Sequence, residues 1–377
     1  MSETNSGKFF LSSSPHFTLG LSTQKIMACV LIALLPEVIA GTVIFGYKAL
    51  LTVLISVASC VTFEALFQLI TKQKILISDL SACVSGVMLA LVLPSTLPWW
   101  MTVLGALVAM VIAKGLFGGI GSNVFNPALT GRAVLFLSFP AAMGAKWFDP
   151  NLVSRIHSKL LAQGLSPEQI DAMSQATTWD GITSATSLSQ IKAGTFVADA
   201  QTYLQYFLGN RAGCIGETSI MLILISFLFL LLMKIIDWRA PVAMVGTVVA
   251  ASFISGFIST KTLLGGGIEI LNALLTGGLM FGAVFMVTDY ATSPVTKGGR
   301  LIFGFGCGLI TFLIRKFGGY PEGVMFSILI MNAFAPFLNN VTYRKYGYDK
   351  KGNRKPKSRK LVQEFDVKNA KPLIQEK

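Results

Sequence analysis

The sequence predicts an all-α protein that crosses a membrane about ten times, in two five-helix halves. Three observations predict it. The chain is 53% hydrophobic and only 13% charged, whereas soluble domains carry about 25% charged residues. Its apolar residues gather into separate runs of spanning or near-spanning length, and a membrane-crossing helix needs about 20 of them. Short motifs from the first half also recur in the second. Lys114-Gly-Leu-Phe117-Gly118-Gly119 is echoed by Arg315-Lys-Phe317-Gly318-Gly319, with Gly86-Val-Met88 and Gly278-Leu-Met280 ahead of them. An odd number of helices per half makes the second half enter the membrane the other way up. Chance is the competing account of the echo, since Gly-Gly and Phe are common in membrane proteins.

The elements follow in order. Residues 1–24 are polar and contain no cleavable signal, so the first helix stays in the mature protein. The first half, 25–140, holds runs at 25–46, 49–70, 79–93, 98–114 and 127–140. The third and fifth are short and are bounded by Pro94, Pro98 and Pro127, as expected where proline stops or starts a helix. Short spans must be shielded by protein, because exposed backbone groups are costly in lipid. A polar loop, 141–216, carries 5 Lys/Arg and 5 Asp/Glu and is neutral. The second half, 217–340, holds runs at 217–235, 240–259, 268–288, 299–315 and 321–339. The tail, 341–377, carries 12 Lys/Arg against 4 Asp/Glu, which leaves +8 of the chain's +13.

A basic tail beside a spanning helix marks the cytoplasmic side and meets anionic headgroups. Membrane lipid is therefore the expected partner, and nucleic acid is not. With ten crossings, both termini are then cytoplasmic and the 141–216 loop is extracytoplasmic. Lys72, Lys74, Lys114, Lys234, Arg239, Lys297 and Arg300 fall at or near inside ends. Arg315 and Lys316 fall outside, against that rule. The five cysteines are dispersed, with no Cys-x-x-Cys, so no cysteine-held metal is expected within this chain.

Several segments could carry chemistry. Gly118-Gly-Ile-Gly121-Ser-Asn123-Val-Phe125-Asn126-Pro127 ends in a helix N-cap pattern. Its clustered N–H groups suit a phosphate or a ring carbonyl, or serve only as a cap. Asp289, in Thr288-Asp289-Tyr-Ala-Thr292-Ser293-Pro294, either orients a bound ring or pairs with Lys297 or Arg300. Tyr320 and Phe317 flank Gly318-Gly319 and either stack on a ring or form a tight interfacial loop. Glu37 and Glu64 are acids inside apolar runs, which suits Na+ or H+ handling or a structural hydrogen bond. Asp180-Gly-Ile-Thr-Ser-Ala-Thr-Ser-Leu188 reads from its residues alone as a Ser/Thr-rich turn. The chain shows no nucleophile triad, His-rich zinc motif or Walker loop.

Taken together these segments resemble a known family. Ser13-Ser-Pro-His16, Ser22-Thr-Gln-Lys-Ile-Met27, Phe117-Gly-Gly through Asn126-Pro-Ala, Thr288-Asp289 through Ser293-Pro294, Gly299-Arg-Leu-Ile-Phe-Gly304 and Phe317-Gly-Gly-Tyr-Pro321-Glu-Gly323 are similar to the D subunits of Rnf electron-transport complexes. The B subunits of Na+-translocating NADH:quinone reductases share most of these motifs but typically have a longer polar leader. The resemblance implies a urea-transporter-like fold, and FMN joined through its phosphate to a threonine in a Ser/Thr-x-Ala-Thr context. That context reads here as Thr183-Ser184-Ala185-Thr186, which makes Thr186 the acceptor, with Asp180, Thr183 and Ser184 completing the motif. Many members have proline after the acceptor, where this chain has Ser187. A separate flavin transferase would make the bond. A second, non-covalent flavin such as riboflavin is also implied, with Asn126, Asp289 and Tyr320 as candidate contacts. The expected role is that of one component of an ion-translocating ferredoxin:NAD+ oxidoreductase in the bacterial inner membrane, inactive by itself and working with the other Rnf subunits. A urea-transporter-like channel without flavin is the competing class, and the threonine motif separates the two.

Overall fold

The computed structural model describes residues 22–73, 75–144, 147, 187–193, 200–320 and 322–341. Among them every regular element is helical. The first half supplies α1 (Thr23–Phe45), α2 (Tyr47–Ile70), α3 (Ser81–Leu91), α4 (Trp99–Gly115), α5 (Pro127–Ser138) and the short α6 (Pro140–Gly144). Two short helices follow, α7 (Ser187–Lys192) and α8 (Ala200–Leu208). The second half supplies α9 (Ile220–Leu232), α10 (Arg239–Thr260), α11 (Leu263–Leu275), α12 (Leu279–Met286), α13 (Lys297–Phe317) and α14 (Val324–Val341).

α1, α2, α10 and α13 are long and apolar enough to cross a membrane, and α11 with α12 adds a fifth if the bent pair is one span. α3, α4, α9 and α14 are shorter apolar helices. Large apolar side chains such as Val43, Leu54, Ile258, Leu264 and Phe337 point outward. An apolar belt of this extent suits hydrocarbon and not water. The protein is thus a multi-pass membrane protein whose described residues form an all-helical fold.

Local chemistry sets the helix ends. Ser22, Ser219, Thr262 and Thr296 cap α1, α9, α11 and α13 with their side-chain oxygens. Asn126 caps α5 by accepting from the Leu129 N–H, with Pro127 at the first turn. Small residues then bring helices together. An added Cβ on Gly86 of α3 would lie 2.7 Å from the Val57 backbone of α2, and Ser56 Oγ donates to the Gly86 carbonyl at 2.7 Å. Gly304 and Gly308 of α13 likewise sit against the Ala240 and Met244 carbonyls of α10.

One expected span needs correction. The run at 268–288 is not a single helix: α11 and α12 meet at a 65° bend across residues 276–278. Gly277 there has φ 68°, a left-handed conformation that glycine adopts without strain. α4 also changes character, becoming π-helical over Val108–Gly115. The halves meet where Ser226 Oγ of α9 donates to the Ala33 carbonyl of α1 at 2.7 Å, and where α5 packs on α14.

Candidate functional site

A cavity of about 380 Å³ opens between the start of α1, α3, the glycine loop before α5, and residues 289–291 after α12. The loop can take this path because Gly118, Gly119 and Gly121 all have positive φ, a region that L side chains rarely adopt. Asn126 and Asp289, distant in sequence, line the same cavity. Among the described residues, Asn126 Nδ2 has only the Met286 sulfur, 3.8 Å away, a weak partner that leaves an amide donor for a ligand. Asp289 accepts from the Thr292 hydroxyl at 3.0 Å. Arg300 is engaged elsewhere, donating to Asp237 at 2.8 Å and to the Pro294 carbonyl at 2.9 Å. Burial pushes the Asp237 carboxyl up, but the Arg239 N–H and the Arg300 and Arg239 guanidiniums outweigh it and hold it below the usual range.

Glu64 has a partner that its neighbours in sequence do not reveal. Lys114 Nζ, from the π-helical part of α4, lies 2.6 Å from Glu64 Oε1 and 2.6 Å from Ser81 Oγ. Lys114 is 3% exposed and also lines the cavity. A buried pair of this kind is retained only because each charge is compensated. Glu37 is different. It is fully buried on α1, and neither carboxylate oxygen has a partner among the described residues.

A second polar centre lies at the α11–α12 break. Arg132 of α5 bridges Glu217 Oε1 at 3.3 Å and Glu322 Oε2 at 2.6 Å, and its Nη2 is 3.4 Å from Cys214 Sγ. Arg211 donates to the carbonyls of Leu275, Glu217 and Gly277. Arg315 donates to those of Ala273 at 3.0 Å and Thr276 at 3.4 Å. Glu322 Oε1 accepts the Gly278 N–H at 3.2 Å. A broken helix strands carbonyls that lipid cannot satisfy, and these guanidiniums satisfy them. Sequence reading passed over Arg132, Arg211, Glu217 and Glu322. The available signal was a lone charge in an apolar run, as at Arg132 within 127–140.

Tyr320 lies apart from Asn126 and Asp289. It packs edge-on against Phe136 at 5.2 Å and beside Phe326 at 5.7 Å between ring centres. Asp180, Thr183, Ser184 and Thr186 lie outside the described residues. The description resumes at Ser187, the residue after Thr186, with α7. Lys192 of α7 donates to the Gly318 and Tyr320 carbonyls, which ties this helix to the α13–α14 turn.

Residues 10–347 match the model of the NQR2, RnfD, RnfE family. The chain belongs to that family. It is 40% identical over 343 residues to the D subunit of the Na(+)-translocating ferredoxin:NAD(+) oxidoreductase complex of Acetobacterium woodii, covering 90% of this chain and 96% of the relative. It is 39% identical over 334 residues to the D subunit of the proton-translocating ferredoxin:NAD(+) oxidoreductase complex of Clostridium ljungdahlii, covering 89% and 94%. It is 37% identical over 358 residues to the D subunit of an ion-translocating oxidoreductase complex of Vibrio cholerae, covering 90% and 99%. Among NQR2, RnfD, RnfE proteins it is thus similar to D subunits along almost their whole length.

Proposed function

We propose that this chain is the flavin-bearing membrane component of an ion-translocating ferredoxin:NAD+ oxidoreductase complex of the Rnf type. It relays electrons through FMN carried covalently on Thr186 and contributes to Na+ or H+ movement. The observation that carries the reading is the near full-length match to relatives named as D subunits of such complexes. The other Rnf subunits are its partners, and a flavin transferase attaches the FMN. Both termini face the cytoplasm, and the loop with Thr186 faces outward from the bacterial inner membrane.

The architecture that goes with this reading is ten crossings in two inverted five-helix repeats, as in urea transporters. The order α1–α5 against α9, α10, the bent pair α11–α12, α13 and α14 supports it, with five members in each half when the bent pair counts as one crossing. The cavity between α1, α3 and residues 289–291 suits a second, non-covalent flavin. Asn126 Nδ2 would donate to a ring carbonyl, and Lys114 and Asp289 would fix the ring's orientation. A bound flavin supplies the ability to accept an electron pair and release electrons singly. Glu37, with both oxygens unpartnered among the described residues, is the carboxylate available to a moving cation or proton, whereas Glu64 is engaged by Lys114.

The test is to express the chain with a flavin transferase, denature it on a gel and read flavin fluorescence beside Thr186→Val. A bright wild-type band and a dark variant are expected. A dark wild-type band, with the transferase active on a control protein, would overturn the flavin reading and favour a channel.

A further inference from the structure

A second cavity, of about 480 Å³, opens between the α9–α10 turn, the segment after α12 and the start of α13. Leu231 and Ile235 give it apolar walls, and Ser293 contributes a hydroxyl with no partner among the described residues. Its charged lining residues are Lys234, Asp237 and Arg300. Asp237 Oδ2 accepts from Arg300 at 2.8 Å and from Arg239 at 2.7 Å, so one carboxylate serves two guanidiniums. Arg300 spends Nε on the Pro294 carbonyl and Nη1 on Asp237, which leaves Nη2 for a ligand. Lys234 is exposed and has no partner among the described residues. Three cations against one acid leave a surplus of two positive charges. Trp238 and Tyr290, both exposed, line the same cavity, and such aromatics gather at the membrane–water boundary. Ile225, Leu228 and Leu232 face outward along α9, beside Leu231. The Val295 N–H donates to Asn339 Oδ1 at 2.8 Å, close to the end of α14. The cavity therefore lies on the face from which the basic tail departs.

We infer that this cavity holds the phosphate of an anionic glycerophospholipid, with Lys234 and Arg300 as its counter-cations and the acyl chains lying along α9. A phosphodiester carries one negative charge, and its oxygens can only accept hydrogen bonds. The Lys234 ammonium, Arg300 Nη2 and the Ser293 hydroxyl are the donors that meet it. Basic pockets between membrane helices bind headgroups in this way. Free phosphate shares this chemistry but has no use for the outward stripe of Ile225, Leu228 and Leu232. A zwitterionic lipid brings its own cation, which the surplus of positive charge opposes. The basic tail attracts the same headgroups, but a charge run without a cavity does not hold one lipid in place. Nothing in this assignment depends on a flavin.

The test uses the full chain in detergent, incubated with equal amounts of phosphatidylglycerol and phosphatidylcholine. A wash in about 1 M salt follows, where charges are screened beyond about 3 Å and lipid held only by the exposed tail is released. Native mass spectrometry then counts the lipid that remains. One phosphatidylglycerol per chain is expected, in clear preference to phosphatidylcholine. Lys234→Gln should weaken its retention about fivefold, and Lys234→Arg should restore it. Asp237→Asn removes the one acid among the lining residues and should strengthen retention. Opposite signs at Lys234 and Asp237 would not arise from a general loosening of the fold. Equal retention of the two lipids, or retention that Lys234→Gln leaves unchanged, would overturn the site. Displacement of the lipid by an equal concentration of inorganic phosphate would overturn the lipid as occupant and make this a free-anion site.

Discussion

Removing one partner of the Glu64–Lys114 pair should be far more harmful than removing both. The two side chains are 8% and 4% exposed and meet at 2.6 Å, and Glu64 Oε2 already lacks a partner among the described residues. Lys114→Met would leave the carboxylate with no countercharge in contact. Stranding a buried ion in this way costs about 3–5 kcal/mol. The Ser81 hydroxyl also loses its 2.6 Å contact, which adds about 1 kcal/mol. The double variant Glu64→Leu/Lys114→Met replaces the pair with hydrocarbon and should lie within about 1–2 kcal/mol of wild type, since such replacements are often neutral. The coupling between the sites, read from a double-mutant cycle, is expected to exceed about 3 kcal/mol, the difference between Lys114→Met and the double variant before the cost of Glu64→Leu is added. The assay is thermal unfolding in detergent with a thiol-reactive fluorophore, because Cys60, Cys214 and Cys307 are buried and react only on unfolding. Equal destabilisation in Lys114→Met and the double variant would refute the account, since Glu64 would then need no compensation.

Gly278→Ala should destabilise the protein by about 1–3 kcal/mol, because the new methyl would press on Glu217 Oε1 and lie 2.7 Å from Glu322 Oε1. Gly246→Ala, with open space around it, should leave the melting temperature unchanged in the same assay. Asp237 gives a pH signature. Its carboxyl is held below the usual aspartate value of about 3.9, so its stabilising contribution is complete above that value and is lost as pH falls below it. Asp237→Asn should therefore flatten the acid limb of a stability–pH curve, and an unchanged limb would show that the Arg239 and Arg300 contacts contribute nothing.

The apolar helices were legible because hydrophobic length is a local property, and Pro94, Pro98 and Pro127 punctuate it. The Asn126 cap was legible for the same reason. The break at 276–278 was not, because Leu274 through Met280 stays apolar overall, and Gly277-Gly278 reads equally well as close helix packing. Partners were the least legible feature. Lys114 lies 50 positions from Glu64, and Arg132 lies 190 from Glu322. Helical periodicity places a residue on a face but does not say which other helix that face meets. Thr186 is a candidate only through resemblance, since a hydroxyl in a Ser/Thr-rich loop has no local mark of reactivity.

The bent α11–α12 segment also sets an order of events during synthesis. Its carbonyls are capped by Arg211, which precedes it, and by Arg315, which follows it on α13. Its Gly278 N–H waits for Glu322, later still. A ribosome that has delivered only residues up to the bend has therefore placed in the bilayer a segment with open valences on its downstream side. That segment can settle only after the chain through Glu322 has emerged, so the second half must be completed in the membrane as one unit and not helix by helix.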